Sequence, residues 1–220
     1  MSVRRVAAFD FDGTLSRRDT LIPFLVRAAG RRRFAWACAA LGLDGARGRV
    51  AARDRDAVKV ALLAQLFTGH DESSLRELGE QYARDLLSDQ LRPDALDRLH
   101  RHRHRGDHVV FVSASLVYYL DPLGAELGVD AVIAVEPEVV DGRLTGALAA
   151  PNVRAAEKAR RLRSWLGAPE TGPLEGVELW AYGNSSGDHA LLELADHALW
   201  MGSPNACPVG ARQFSSLDQF

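Results

Sequence analysis

Four short runs along the chain are apolar at every position, Val6–Phe9, Val109–Val112, Ala131–Val135 and Ala198–Met201, and a fifth, Val177–Ala181, is broken only by Glu178. Unbroken apolar runs, rather than alternating ones, fit strands covered on both faces, as in a parallel sheet. Helical periodicity fills the gaps. Leu116–Leu127 is one such segment, and Val153–Leu166 is another, with Asn152 as its expected N-cap and Gly167 just past its end. Strands alternating with helices imply right-handed βαβ units. The expected fold is α/β, a Rossmann-like, doubly wound and mainly parallel sheet.

Residues 19–91 interrupt that alternation. They hold three helix-period segments, Leu21–Leu41, Arg49–Phe67 and Glu72–Ser88, with no strand between them. Gly42, Gly45 and Gly48 punctuate the first join, and Gly69-His70-Asp71 the second. The expectation is a helical cap over 19–91, inserted into a core made of 1–18 and 92–220. Pro93 opens the returning helix Asp94–His104, and Val139–Leu144 reads as a hairpin turning at Asp141-Gly142. In the tract from His100 to Arg105 only His100 and His104 share a helix face, so it is read as a polar helix end rather than a metal site.

Composition narrows the class. The chain has 220 residues, 47% hydrophobic and 25% charged, with a net charge of −2. That is ordinary for a globular protein and removes the simplest case for nucleic-acid binding. Cys38 and Cys207 match no zinc or redox spacing. The start, Met1 to Arg5, runs into the first strand without a signal-peptide core, so a cytoplasmic setting is expected. The longest apolar stretch, Phe34–Leu43, has ten residues against the ~20 that a membrane span needs. Arg31, Arg32 and Arg33 precede it, so a membrane-surface contact stays open, while a packed helix flanked by solvated arginines is favoured. The oligomeric state is not fixed.

Four polar features follow these runs. Asp10 and Asp12, in Phe9-Asp10-Phe11-Asp12-Gly13-Thr14-Leu15, stand at the carboxyl end of the first strand, where open α/β sheets bind ligands. Gly13 permits a tight turn whose amides, with that of Thr14, face an anion. Ser113-Ala114-Ser115 ends the second strand, either as a phosphate cradle or as a helix cap. Lys158 stands out because the chain holds 25 arginines and only two lysines, and a compact ammonium can reach a phosphate and an aspartate together. The other lysine, Lys59, is read as a surface residue. Gly183-Asn184-Ser185-Ser186-Gly187-Asp188 suits an oxygen-donor Mg2+ site, or an Asx-turn with Asp188 as a cap.

Together these motifs resemble the haloacid dehalogenase superfamily of phosphohydrolases, in the phosphoserine phosphatase-like subfamily that carries a helical cap after the first strand. The resemblance spans nearly the whole chain. It implies a nucleophilic Asp10 forming an aspartyl-phosphate, and Asp12 as acid and then base. It implies Ser113 and Lys158 on the phosphoryl oxygens, with Gly13, Thr14 and Ala114 beside them. Mg2+ would be held by Asp10, the Asp12 carbonyl, Asn184 and Asp188. The family usually has Asp where this chain has Asn184, so weaker magnesium binding is expected. Asp19 occupies the position that contacts the substrate amino group in phosphoserine phosphatases, and it equally suits a helix N-cap. Arg49, Arg53 and Arg55 of the cap, and Arg143 of the hairpin, are candidates for a second anionic group. The leading expectation is a phosphomonoesterase acting on a small phosphorylated metabolite. A lipid phosphate phosphatase using Arg31–Leu43 at a bilayer and a silent phospho-ligand binder are the alternatives.

Overall fold

A computed structural model of the protein describes residues 3–46 and 54–215. Six parallel strands form the sheet among these residues: β1 (Arg4–Phe9), β2 (His108–Leu116), β3 (Ala131–Val135), β6 (Val177–Gly183), β7 (His197–Trp200) and β8 (Arg212–Gln213), in the order β3-β2-β1-β6-β7-β8. Val6, Ala7, Ala8 and Phe9 are fully buried, which is why β1 is apolar at each of these positions. The order places β1 centrally, with β2 and β6 on either side, so three adjacent strand ends open into one crevice.

Helix α5 (Pro93–His104) leads into β2, α6 (Val117–Leu127) follows it, α7 (Ala156–Leu166) precedes β6, and the short α8 (His189–Glu193) precedes β7. Two strands stand apart as an antiparallel hairpin, β4 (Pro137–Val140) and β5 (Arg143–Leu148). The hairpin turns at Asp141 and Gly142, both at positive φ, as the twist of a two-residue turn demands. It does not border the crevice. Its β5 strand bonds the cap loop through Gly69 N to Leu144 O (2.8 Å) and Leu144 N to His70 O (2.9 Å). Arg143 donates to the Gly69 carbonyl at 2.8 Å, so it is a strut for that loop rather than an anion receptor.

The insertion after β1 is helical, as the periodicity implies, with different breaks. Its helices are α1 (Leu21–Ala29), α2 (Arg31–Ala46), α3 (Arg55–Phe67) and α4 (Glu72–Asp89). The expected Leu21–Leu41 helix breaks at Gly30 (φ 79), a conformation closed to most side chains, whereas Gly42 and Gly45 lie within α2. Arg49 and Arg53 lie outside the described residues, and Arg55 opens α3. Asp54 caps α3 by accepting from Asp56 N and Ala57 N, and Asp71 caps α4 by accepting from Ser73 N. The chain enters and leaves the insertion side by side: Arg17 N donates to Gln90 O, and Arg92 N to Leu15 O. The stretch from Phe34 is less packed than expected: among the residues of α2 only Ala37 is buried, and Trp36 and Leu43 are exposed. No helix among the described residues is long and apolar enough to cross a membrane.

Two further expectations change. Helix α7 starts at Ala156, not Val153, because Ala155 (φ 51) turns the chain sharply, and Asn152 therefore does not cap it. The histidine tract is split by burial. His102 is fully buried, paired with Asp107 Oδ2 at 2.8 Å and the Tyr182 hydroxyl at 2.7 Å, while His100 and His104 face water. Burial lowers the His102 pKa to about 4, so it is neutral and structural. The ring of Tyr182 stacks on Phe9 at 4.2 Å, which ties this network to the strand that carries the first aspartate.

The insertion packs on the sheet layer through α4 and α6. Gly79 on α4 is the point of closest approach, since a Cβ there would lie 2.1 Å from the Tyr118 carbonyl oxygen. Backbone cannot yield as a side-chain tip can. Gly79→Ala is therefore expected to lower stability by ~1–3 kcal/mol in urea unfolding, with unchanged stability contradicting this packing.

Candidate active site

Asp10 directly follows β1, and its amide donates to the Tyr182 carbonyl at 2.9 Å, which extends the sheet by one bond. The carboxylate thus stands at the mouth of the crevice, only 6% exposed. Lys158 reaches it from α7: the ammonium donates to Asp10 Oδ1 at 2.6 Å and to Asp188 Oδ1 at 2.6 Å. All three groups are buried. Burial disfavours charge on Lys158, but the two carboxylates outweigh it and raise its pKa. Asp188 is held below the ordinary carboxylate range, burial being outweighed by Lys158. Asp10 is pushed up to about 7, by burial first and by Asp188 next, with Lys158 opposing.

The second oxygen of Asp188 gathers the loop after β6, accepting from Asn184 N (3.1 Å), Ser185 N (2.9 Å) and Ser185 Oγ (2.9 Å). The turn reading therefore holds, since Asp188 organises a local turn, and the same residue lines the crevice. Asn184 is brought to Asp10 through Thr14, whose hydroxyl lies 3.1 Å from Asp10 Oδ2 and 3.3 Å from Asn184 Oδ1. Gly13 (φ 78) is required twice over: by its backbone, and by the Asn184 amide, which a Cβ would meet at 2.1 Å. Gly13 and Thr14 lie behind the cavity wall and support it, Thr14 being fully buried.

Asp12 is held by three donors. Its Oδ1 accepts from Thr20 N (2.7 Å) and Thr20 Oγ1 (2.6 Å), and its Oδ2 accepts from the Ser115 hydroxyl. Burial raises its pKa against these hydrogen bonds, so a proton is kept more readily than on a free aspartate. Ser113 and Ser115 do not cap a helix. They lie inside β2, which shifts register between Val112 and Leu116, and Ser113 Oγ accepts from Ser115 N at 3.1 Å. Ser113 and Ala114 line the cavity. Asp19 borders it too, while its carboxylate accepts from Ile22 N at 3.0 Å, so the position serves the start of α1 as well.

Lys59 overturns the expectation of a surface lysine. Its ammonium donates to the Ala114 carbonyl and to Asn152 Oδ1 (2.8 Å), and Asn152 Nδ2 donates to Asp56 Oδ1 (2.7 Å). Asp56 and Lys59, three apart on α3, thus latch the insertion to two core segments across the cavity mouth. Burial lowers the Lys59 pKa to about 8. Arg154, which also lines the cavity, was not singled out from sequence. The rarity of lysine marks Lys59 as it marks Lys158, whereas no single-residue signal marks Arg154 among so many arginines; Thr20 and Ser115 are equally silent, since hydroxyls are common in caps and strands.

The oxygens of Asp10 and Asn184 that converge on Thr14 are hard donors of the kind a magnesium ion takes. Among the described residues no three carboxylate, imidazole or thiolate groups form a cage by themselves, so the donor set fits only with the Asn184 amide oxygen or main-chain carbonyls included. Without a cation the fold favours a protonated Asp10: its pKa of about 7 exceeds the value near 3.8 of an unperturbed carboxyl. The stability linked to that proton is complete below about pH 4 and is lost as pH rises through about 7. Metal-free protein is therefore expected to lose stability between about pH 4 and about pH 7, and Asp10→Asn to flatten that loss. Thermal unfolding in chelator checks this, and an equally steep loss in the variant would contradict it.

Comparisons with known proteins place the chain in a family. A family profile described as haloacid dehalogenase-like hydrolase matches residues 7–193. Protein CicA of Caulobacter vibrioides is 34% identical over 205 residues, 90% of this chain and 88% of that protein. A phosphoserine phosphatase of Mycobacterium tuberculosis is 28% identical over 162 residues, 74% of this chain and 36% of that one. A crystal structure of a protein of unknown function from Bordetella pertussis Tohama I superposes with a TM-score of 0.74 at 26% identity, covering 93% of both chains. With the matched profile spanning most of the sheet and the insertion, the chain belongs to the haloacid dehalogenase-like hydrolases.

Proposed function

We propose that the protein hydrolyses a phosphomonoester through a phosphorylated Asp10. The observation that carries this is the buried Lys158 ammonium bridging Asp10 and Asp188 at the strand ends. Phosphoryl transfer depends on positioning and charge compensation more than on covalent novelty. An Asp10 oxygen attacks phosphorus in line, and the bond from phosphorus to the ester oxygen breaks. Asp12, protonated and fixed by Thr20 and Ser115, gives its proton to the departing oxygen. The resulting Asp12 carboxylate then takes a proton from water, whose oxygen attacks phosphorus. Phosphate leaves, and Asp10 is restored.

Ser113, Lys158 and the main chain at Ala114 bind the phosphoryl oxygens, and Gly13 and Thr14 hold the turn that aims Asp10. Mg2+, taken by Asp10, the Asp12 carbonyl, Asn184 and Asp188, supplies the positive charge that lets a dianion approach two carboxylates. The latch from α3 and the wall from α1 limit water in the cavity, with Asp19 and Arg154 at its edge facing the organic part of the substrate.

Phosphate release from p-nitrophenyl phosphate and phosphoserine should require Mg2+, and Asp10→Asn should lower kcat by at least about a thousandfold, since a lost nucleophile costs the covalent route. Because ligand charge tunes hard-cation affinity, Asn184→Asp should lower the Mg2+ concentration for half-activity by about tenfold. Full turnover in chelator, or an active Asp10→Asn, would sink the proposal.

A further inference from the structure

The insertion offers the cavity an apolar wall: Leu21, Ile22 and Leu25 from α1, and Val58 and Leu62 from α3. A phosphoryl group held at Lys158 and Ser113 must project its leaving group toward that wall, because the strand ends occupy the other side. The polar side chains of α3 at the cavity, Asp56 and Lys59, are already bound to Asn152 and Ala114. Among the described side chains of α1 and α3 at the cavity, none stands ready as a pair of receptors for an amino and a carboxylate group.

Beyond this wall lies a second chamber of about 400 Å³, lined by Phe34, Cys38 and Leu41 of α2 together with the same Ile22, Val58 and Leu62. The three shared residues border both spaces, so only side chains of α1 and α3 separate them, and Ile22 is 43% exposed. Among the described residues no charged side chain lines the chamber. Apolar surface facing water in a concave space is the setting in which binding an apolar group gains most.

We infer that the alcohol half of the substrate carries an apolar chain, which passes over Ile22, Val58 and Leu62 and lies in the chamber under α2. The inference rests on the hydrolase reading and names the substrate class within it: a monophosphate on an alkyl or acyl chain, in preference to phosphoserine. The apolar area removed from water then grows with every methylene.

Two measurements test it with Mg2+ present and every ligand below its micelle concentration. In a series of n-alkyl monophosphates from ethyl to decyl, kcat/KM should rise about threefold to fourfold per methylene until the chamber is full. Separately, decylphosphonate, which cannot be hydrolysed, should slow alkylation of Cys38 by iodoacetamide at least about tenfold, and methylphosphonate at the same concentration should not. Cys207 lines neither space and is the internal control. Equal kcat/KM across the series together with unprotected Cys38 would overturn the chamber assignment while leaving the phosphatase intact. Protection of Cys38 with no phosphate released from any ester would support the chamber and overturn the hydrolase reading instead.

Discussion

The ammonium group of Lys158 is out of reach of water, 2.6 Å from Asp10 and 2.6 Å from Asp188. Two carboxylates this deep would repel each other, and one ammonium between them makes the arrangement tolerable. Removing one partner of such a buried group typically costs ~3–5 kcal/mol, because the remaining charge is left unpaired. The compact head of lysine matters here, since a planar guanidinium would demand a wider, flatter seat. Through Asp188 the contact sets the loop that presents Asn184, and through Asp10 it sets the turn of Gly13 and Thr14. Two strand ends and one helix are thereby locked to a single point.

That lock also accounts for the sharp turn before α7. Lys158 must enter the crevice near the start of its helix, and the chain from Asn152 to Ala155 is bent so that Ala155 N can bond the Gly187 carbonyl at 2.9 Å. Asn152, freed from capping, takes the latch from α3 instead. The insertion is therefore fastened at the cavity by side chains and at its base by the paired linkers around Leu15 and Leu91. Opening the cavity requires breaking the first set and bending the second.

Much of this was legible in the chain itself. Runs such as Val6–Phe9 are apolar throughout because both faces of their strands are covered, and their shortness between turn signals separates them from apolar stretches inside helices such as Val60–Ala64. Asp141-Gly142 and Pro93 announce their turn and helix start through backbone chemistry alone. The site aspartates, at strand ends, and Lys158, on a helix, occur in an order that resembles one family. The roles of Lys59, Ser115 and Arg154 were not legible, because each depends on a partner 50 or more residues away or on a cavity that no window of sequence contains, and Thr20, only eight residues from Asp12, carries no mark of its own. The break at Gly30 and the bend at Ala155 are tertiary decisions of the same kind: helix periodicity continues through both.

The central claim is that Asp10, poised by Lys158, takes the phosphoryl group onto its own carboxylate. Rapid acid quenching of wild-type protein during turnover of p-nitrophenyl phosphate, followed by borohydride reduction and peptide mass analysis, tests it directly. An acyl phosphate on Asp10 is reduced to homoserine, so the account predicts homoserine at position 10 and nowhere else, dependent on substrate and Mg2+. Turnover that leaves every aspartate unreduced, or a phosphoryl adduct on another residue, would contradict it.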